Sequence, residues 1–267
     1  MPGAFTFTAQ HRGGSGAPLV CIHGVTDTWR TWELVLPELE RHHDVLAPTL
    51  PGHAGGAGLP DAITETLLAE SVERAMDAAG FATAQIVGNS LGGYVALQLA
   101  ARGRAESVVA FAPGGGWSPG DAALQRGLWA HFALMTELLR TAGPHAEAIA
   151  ATPEGRRRAT EFMVEHSEHL PADLVAHQIA GAAACDTDRL LPFGETSAWE
   201  LDAERITCPL RIVWGTADRV LPWPAATARY RRLLPQADWV ELDGVGHGPQ
   251  LDVPLEAAQL ILGFTAR

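Results

Sequence analysis

The sequence predicts an α/β protein whose mainly parallel sheet carries helices on both faces and a helical insertion over one edge. Short apolar runs at 19–22, 45–47, 85–87 and 107–112 alternate with helix-patterned segments, the order expected of βαβ units with right-handed crossovers. Strand signals then vanish between Trp117 and Trp199 and resume at 210–214 and 239–242. At 267 residues the chain is near the upper limit for one hydrophobic core, so one domain with an insertion is the economical reading.

Taken in order, Phe5, Phe7 and Ala9 alternate with Thr6, Thr8 and Gln10, a period-two signal for a half-buried strand. The Gly-rich stretch 13–16 predicts a flexible turn after it. The unbroken runs at 19–22 and 45–47 fit parallel strands covered on both faces. Residues 52–60, rich in Gly and Ala, predict a surface loop. Over 64–79 the residues Leu67, Leu68, Val72, Ala75, Met76 and Ala79 recur at helical spacing, and Gly80 follows as a C-cap. A strand at 85–87, a helix at 91–101 and a strand at 107–112 come next. Beyond Pro113 and Gly114–Gly116 the insertion shows helical stretches at 124–139, 154–166 and 172–184. It is expected to cover the carboxyl edge of the sheet, where open α/β folds place their ligands.

Composition narrows the partners. A formal charge of −12, spread along the chain, repels phosphate backbones and anionic headgroups, so neither nucleic acid nor a membrane is expected. Residues 1–8 have no basic start or long apolar stretch, and no run approaches the roughly 18 apolar residues of a membrane span. The expectation is a cytoplasmic monomer or homodimer acting on a small-molecule substrate. Cys21, Cys185 and Cys208 are odd in number and far apart, which implies no disulfide framework; Cys21 and Cys208 read as small core or near-core residues. The His42–His43 pair, His166 and His169 lack Cys or carboxylate neighbours at ligand spacing, so no metal is expected. No G-x-G-x-x-G follows a strand, and no other cofactor is expected. Arg156, Arg157 and Arg158 read as a solvated helix face.

Chemistry concentrates at Gly88, Asn89, Ser90, Leu91 and Gly92, a G-x-S-x-G between an apolar run and a helix-like stretch. A serine on such a sharp turn presents its hydroxyl above the sheet, and small neighbours permit the backbone path. That hydroxyl needs a base, and an imidazole titrating near pH 6.5 is suited to the task. His247 lies in a glycine-flanked loop, Gly246-His247-Gly248, after the last strand.

With His23-Gly24 before the serine motif, and Gly215-Thr216-Ala217-Asp218 and Gly246-His247-Gly248 after it, nearly the whole chain resembles the α/β-hydrolase superfamily, in the branch with a small helical cap. The resemblance implies an eight-stranded sheet, a hydrolase core at 1–116 and 200–267, and a cap at 117–199. It implies Ser90 as nucleophile, His247 as base and Asp218 as the acid that fixes its tautomer, in the family's chain order. Asp243 ends the preceding strand, and Asp252 opens the approach to the last helix, where an acid suits the dipole. Backbone N–H groups of Leu91 and Val25 are the implied oxyanion donors, although Thr26 or Asp27 can turn that loop differently. His23 is expected to hold the loop, with Trp29 and Trp32 beneath it. Residues 49–53 depart from the Asp or Arg that the family often carries there. Trp117, Trp129, Phe132, Phe162, Trp199 and Trp223 are the candidate pocket residues, with Met135, Met163 and Phe193 also available.

The implied activity is hydrolysis of a small, partly apolar ester, lactone or related acyl compound through an acyl-enzyme. Serine at position 90 turns the resemblance away from haloalkane dehalogenases and epoxide hydrolases, whose covalent ester requires a carboxylate. The elbow is also similar to that of carbon-carbon bond hydrolases of ring-cleavage products, which commonly have Met where this chain has Leu91. Cofactor-free perhydrolases share the same residues, and a small-ligand receptor on a hydrolase scaffold is the non-enzymatic alternative.

Overall fold

Four of the apolar runs become the middle of a seven-stranded sheet. The computed structural model describes residues 5–118 and 120–265, with strands β1 (Gln10–Gly14), β2 (Ala17–Ile22), β3 (His43–Pro48), β4 (Ala84–Asn89), β5 (Ala105–Phe111), β6 (Leu210–Gly215) and β7 (Asp238–Leu242). Their spatial order is β1-β3-β2-β4-β5-β6-β7. Only β1 runs antiparallel, pairing Gln10 with Pro48 and Gly14 with Asp44. The class is as expected; the described residues contain one strand fewer than the eight anticipated.

The error at the amino end has a packing cause. The alternating stretch from Phe5 to Ala9 is not a strand. The rings of Phe5 and Phe7 stack 6.3 Å apart and Phe7 lies 4.8 Å from the His177 ring, so tertiary contact with the insertion overrides the period-two pattern. Gly13 and Gly14, expected in a turn, are instead the end of β1, and the reversal falls at Ser15 and Gly16.

The helices follow in chain order: α1 (Leu36–Leu39), α2 (Leu67–Ala79), α3 (Leu91–Ala101), α4 (Ala122–Ala142), α5 (Ala146–Ala150), α6 (Pro153–Thr160), α7 (Ala172–Ala183), α8 (Thr187–Thr196), α9 (Ala228–Leu233), α10 (Pro249–Asp252) and α11 (Pro254–Thr265). Because neighbouring strand residues point to opposite faces, the sheet feeds two cores. Val20, Ile22, Ile86, Val108 and Ile212 pack with Val72 and Met76 of α2 and Val95 and Leu99 of α3. Leu19, Cys21, Val87, Val109 and Val213 pack with Trp32, Leu39, Ile261 and Phe264. Each such side chain contributes roughly 1.5–3 kcal/mol by leaving water. The helix α3 is enclosed on all sides, with every residue from Gly92 to Ala101 buried. Among the described residues no helix is long and apolar enough to cross a membrane.

Between β5 and β6 the chain runs through α4–α8 without a strand among the described residues. The expected helix at 154–166 stops at Thr160, because the amides of Glu165 and His166 are turned toward the carboxylate of Asp252. The helix α8 escaped the sequence pattern because Pro192 interrupts it. Arg157 and Arg158 both pair with Glu154 on the outer face of α6, as the solvated-face reading anticipated, whereas Arg156 is half-buried and its Nη1 donates to Ala150 O at 2.8 Å. All three thiols are free; burial pushes that of Cys185 up to about 12.

One stability change follows directly from α4. Gly127 is exposed in mid-helix, and a Cβ there meets nothing within 4 Å. Gly127→Ala is expected to raise stability by about 0.5–1 kcal/mol, read as a shift of the urea midpoint at unchanged slope.

Candidate active site

The strand β4 ends at Asn89 and α3 begins at Leu91, leaving Ser90 alone to make the turn, at φ 56° and ψ −117°. A side chain with positive φ is strained, and such strain persists only where the surroundings over-determine it. Here the Ser90 amide donates to Phe111 O at 2.9 Å, and Ser90 O accepts from Tyr94 N at 3.1 Å and Gly114 N at 2.9 Å. The flanking glycines are required by close approach: a Cβ on Gly88 would sit 2.1 Å from Gly92 O, and one on Gly92 would sit 2.1 Å from Ile22 O. The glycine run 114–116, which matched no nucleotide motif, threads between this turn and Trp199, with Tyr230 Oη donating to Gly114 O at 2.5 Å.

Asp218 and His247 are joined. His247 Nδ1 lies 2.7 Å from Asp218 Oδ2, and both are buried. The other carboxylate oxygen accepts from the amides of Val220 at 2.8 Å and Leu221 at 2.7 Å. Two backbone donors hold the carboxylate in place, and with Nδ1 turned to its second oxygen, Nε2 is the ring nitrogen left without that contact. The loop after Asp218 is pinned in turn by Trp214 Nε1, which donates to Leu221 O at 3.0 Å.

The loop after β2 closes over the elbow. Gly24 comes so near that a Cβ on it would lie 3.3 Å from Ser90 Cβ. His23 is fully buried; its Nδ1 is 2.7 Å from Gly24 O and its Nε2 accepts from Leu50 N at 2.9 Å. Burial holds its pKa well below 6.5, so a neutral ring staples two loops together, as anticipated. His53, in the stretch that departs from the family pattern, packs its ring 4.8 Å from that of His23 and is itself lowered to about 4 by burial. Trp32 is buried in the core with its ring 6.1 Å from that of Phe111, while Trp29, half-buried against the same core, donates its Nε1–H to Thr8 Oγ1. The positive φ of 67° at Thr26 bends the chain just after Val25. Leu91 is the first residue of α3, and its N–H belongs to the helical turn that has no partner within the helix.

Two cavities meet at Ser90, Val25 and Phe132. The first, about 940 Å³ of empty space, is walled by Ser90 and His247 together with Asp27, His131, Phe162 and Gln178. The second, about 800 Å³, is aromatic, with Tyr94, Trp117, Trp129, Phe193 and Trp199 around Leu91. Five of the six candidate pocket residues therefore face one cavity or the other. Trp223 faces neither: its ring sits 6.4 Å from that of Trp214, under the Arg231 guanidinium. A tryptophan within a proline-flanked turn carries no periodicity that separates sheet packing from pocket lining.

The alpha/beta hydrolase family model matches residues 19–260. The chain belongs to that family. It is 31% identical over 204 residues to Epoxide hydrolase EphH of Mycobacterium tuberculosis, an alignment covering 76% of this chain and 95% of the relative. It is 36% identical over 99 residues to 2-hydroxymuconate semialdehyde hydrolase of Pseudomonas sp. strain CF600, covering 36% and 35% of the two chains. Its fold superimposes on the enol-lactonase from Burkholderia xenovorans LB400 with a TM-score of 0.71 at 19% identity, over 97% and 96% of the two chains.

The sequence reading missed the second layer of this α/β hydrolase. Asn89 Nδ2 donates to His247 O at 3.0 Å, and Asn89 Oδ1 accepts from Gln250 Nε2 at 3.1 Å. Thus the variable position of the serine motif grips the histidine loop. Asp252 is no helix-dipole acid. It closes α10, and its fully buried carboxylate accepts from Gly246 N, Glu165 N, His166 N and the His166 ring. Only an adjacency in space reveals these roles, since the partners lie six to 161 positions apart.

Two consequences are measurable. Asp252→Asn replaces an acceptor with a donor among buried N–H groups and is expected to cost about 2–4 kcal/mol; His166→Ala, whose ring is largely exposed, is expected to cost under about 1 kcal/mol, both by urea denaturation. For His53 the folded pKa lies below the unfolded value near 6.5, so the unfolded chain binds more protons and stability falls as pH drops from about 6.5 to about 4. The loss attributable to this ring is on the order of 3 kcal/mol when complete. The stability difference between the native protein and His53→Gln, followed from pH 7.5 to 4, is expected to move by that amount against the native protein.

Proposed function

We propose that this hydrolase cleaves a small, partly apolar ester, lactone or related acyl compound. Ser90 Oγ attacks the carbonyl carbon while His247 Nε2 takes its proton, giving a tetrahedral intermediate whose oxyanion is received by the N–H groups of Val25 and Leu91. The leaving alkoxide then departs with the proton returned by His247, leaving an acyl-enzyme. Water attacks that ester with His247 again as base, and the acid is released. Asp218 stays ionised throughout and stabilises the imidazolium. The inserted helices α4–α8 serve as the cap.

The observation that carries this reading is the buried 2.7 Å contact between Asp218 and His247, with His247 and the strained Ser90 on one cavity wall. The relatives' chemistry divides around that serine. EphH is an epoxide hydrolase by name, but position 90 here is an alcohol, and the carboxylate ester of that chemistry has no carboxylate to form on. Carbon-carbon hydrolysis of a ring-cleavage product is the second reading, favoured by the match to the semialdehyde hydrolase. It is disfavoured by the first cavity, whose lining offers a dienoate carboxylate no Lys or Arg.

Short p-nitrophenyl esters are expected to be turned over and a ring-fission dienoate not; turnover of the dienoate alone overturns the ester assignment. A fluorophosphonate is expected to label Ser90, and Ser90→Ala to abolish both labelling and turnover. Asp218→Asn is expected to lower kcat by roughly 10⁴-fold with the fold intact. A probe that fails to label Ser90 while a small ligand still raises Tm would identify a receptor.

A further inference from the structure

The first cavity contains a carboxylate that the proposed reaction does not use. Asp27 sits two residues beyond Val25, half-buried, on the wall shared with Ser90 and His247. Its Oδ1 accepts from Thr28 N at 2.8 Å, and the Thr31 and Gln178 side chains also favour its charged form. Thr31 Oγ1 in turn accepts from Gln250 Nε2, which reaches Asn89 beside the nucleophile. These donors fix the orientation of the carboxylate without neutralising it, and among the described residues no Lys, Arg or His is paired with it.

The surroundings make that charge consequential. The same cavity is walled by Phe132, Met135, Leu139, Val175 and Ile179, and a charge against apolar walls is costly until a counter-charge arrives. The other titratable groups on the wall are His131 and His247, and burial lowers the pKa of His131 so that its ring is neutral at pH 7. Desolvation raises Asp27 to about 6, still below neutral pH, so the group is mostly ionised there.

We infer that Asp27 is a specificity-determining residue that selects acyl substrates ending in an organic cation, an ammonium group, and rejects those ending in a carboxylate. The acyl tail is assigned to the Asp27 cavity, whose wall also carries Ser90 and His247, so the charge preference falls on that part of the substrate. The attraction and the rejection come from one charge, which is how a site separates ligands of similar shape. This assignment rests on the acyl-transfer reading for which bond breaks, and on the cavity alone for the charge preference.

The test compares three p-nitrophenyl esters of equal acyl length, ending in a trimethylammonium group, its uncharged tert-butyl isostere and a carboxylate, with the full chain at pH 7.5. The cationic ester is expected to exceed the anionic one in kcat/KM by at least tenfold, with the neutral isostere between them. In Asp27→Asn the cationic-to-neutral ratio is expected to fall by about tenfold. Taking a ratio within one protein cancels any shift of the neighbouring Val25 amide, which a merely structural role would move equally for all three esters. An anionic ester turned over as fast as the cationic one, or a ratio unchanged in Asp27→Asn, overturns the assignment. If no ester is turned over, the acyl-transfer reading fails and calorimetry with hexylammonium and hexanoate decides the charge preference. Hexylammonium binding the native protein at least tenfold more tightly than it binds Asp27→Asn supports it; equal binding, or a preference for hexanoate, overturns it.

Discussion

The positive φ of Ser90 is the constraint from which the rest of the site is built. A single residue reverses the chain between β4 and α3, and it keeps that conformation because β5 takes its amide while Tyr94 and Gly114 take its carbonyl. The parallel register makes this possible: β4 and β5 run side by side to Asn89 and Phe111, so the partner carbonyl lies where the turn begins. Small residues at 88 and 92 are then forced by contact distances near 2.1 Å rather than by flexibility. Strain stored in one turn is thereby borne by the whole sheet.

A second consequence of the sheet is electrostatic. The strands β6 and β7 deliver Asp218 and His247 in loops at the same carboxyl edge, and burial there excludes the water that would otherwise weaken their hydrogen bond. A buried carboxylate is costly unless its lone pairs are occupied. At Asp218 the occupants are two amides from its own turn, so one oxygen is held by backbone, Arg219 pairs with Glu165 instead, and the other oxygen meets the imidazole. Asp27 has a local donor too, but it lines a cavity. The two acids differ in their surroundings: one meets the His247 ring, the other lines a cavity.

The sequence made legible those features whose cause is local. Apolar runs flanked by turn residues marked β2 through β6, helical spacing with Gly80 marked α2, and the serine motif marked the elbow, because each pattern is written in consecutive residues. The features it hid depend on contacts between distant segments. Phe5 and Phe7 alternate like a strand but stack on each other and on the insertion. The helix pattern past Thr160 yields to the pull of Asp252. Trp129 and Trp223 are equally aromatic in the sequence, yet one lines a cavity and the other lies against Trp214. Asp252 and Asp218 looked alike as acids near the histidine, and family order separated them; only coordinates show that the one left over organises the loop.

That organisation divides the insertion into two energetically different parts. The segment around 163–166 is bonded to the histidine loop through Gly248 N to Met163 O at 2.9 Å and through the Asp252 carboxylate, and Val164 shares a core with Leu251. Displacing it would strand a buried anion and several amides, each costing about 1–3 kcal/mol or more, and would carry His247 out of place. The helix α4 meets the site through Phe132, Met135 and Leu139 on one cavity and Trp129 on the other, contacts that are apolar and tolerant of small shifts because dispersion is non-directional. Room for substrates of different bulk therefore comes more cheaply from α4 than from 163–166. The fixed part preserves the geometry of His247, and the part with softer attachments sets the shape of the space in front of Ser90.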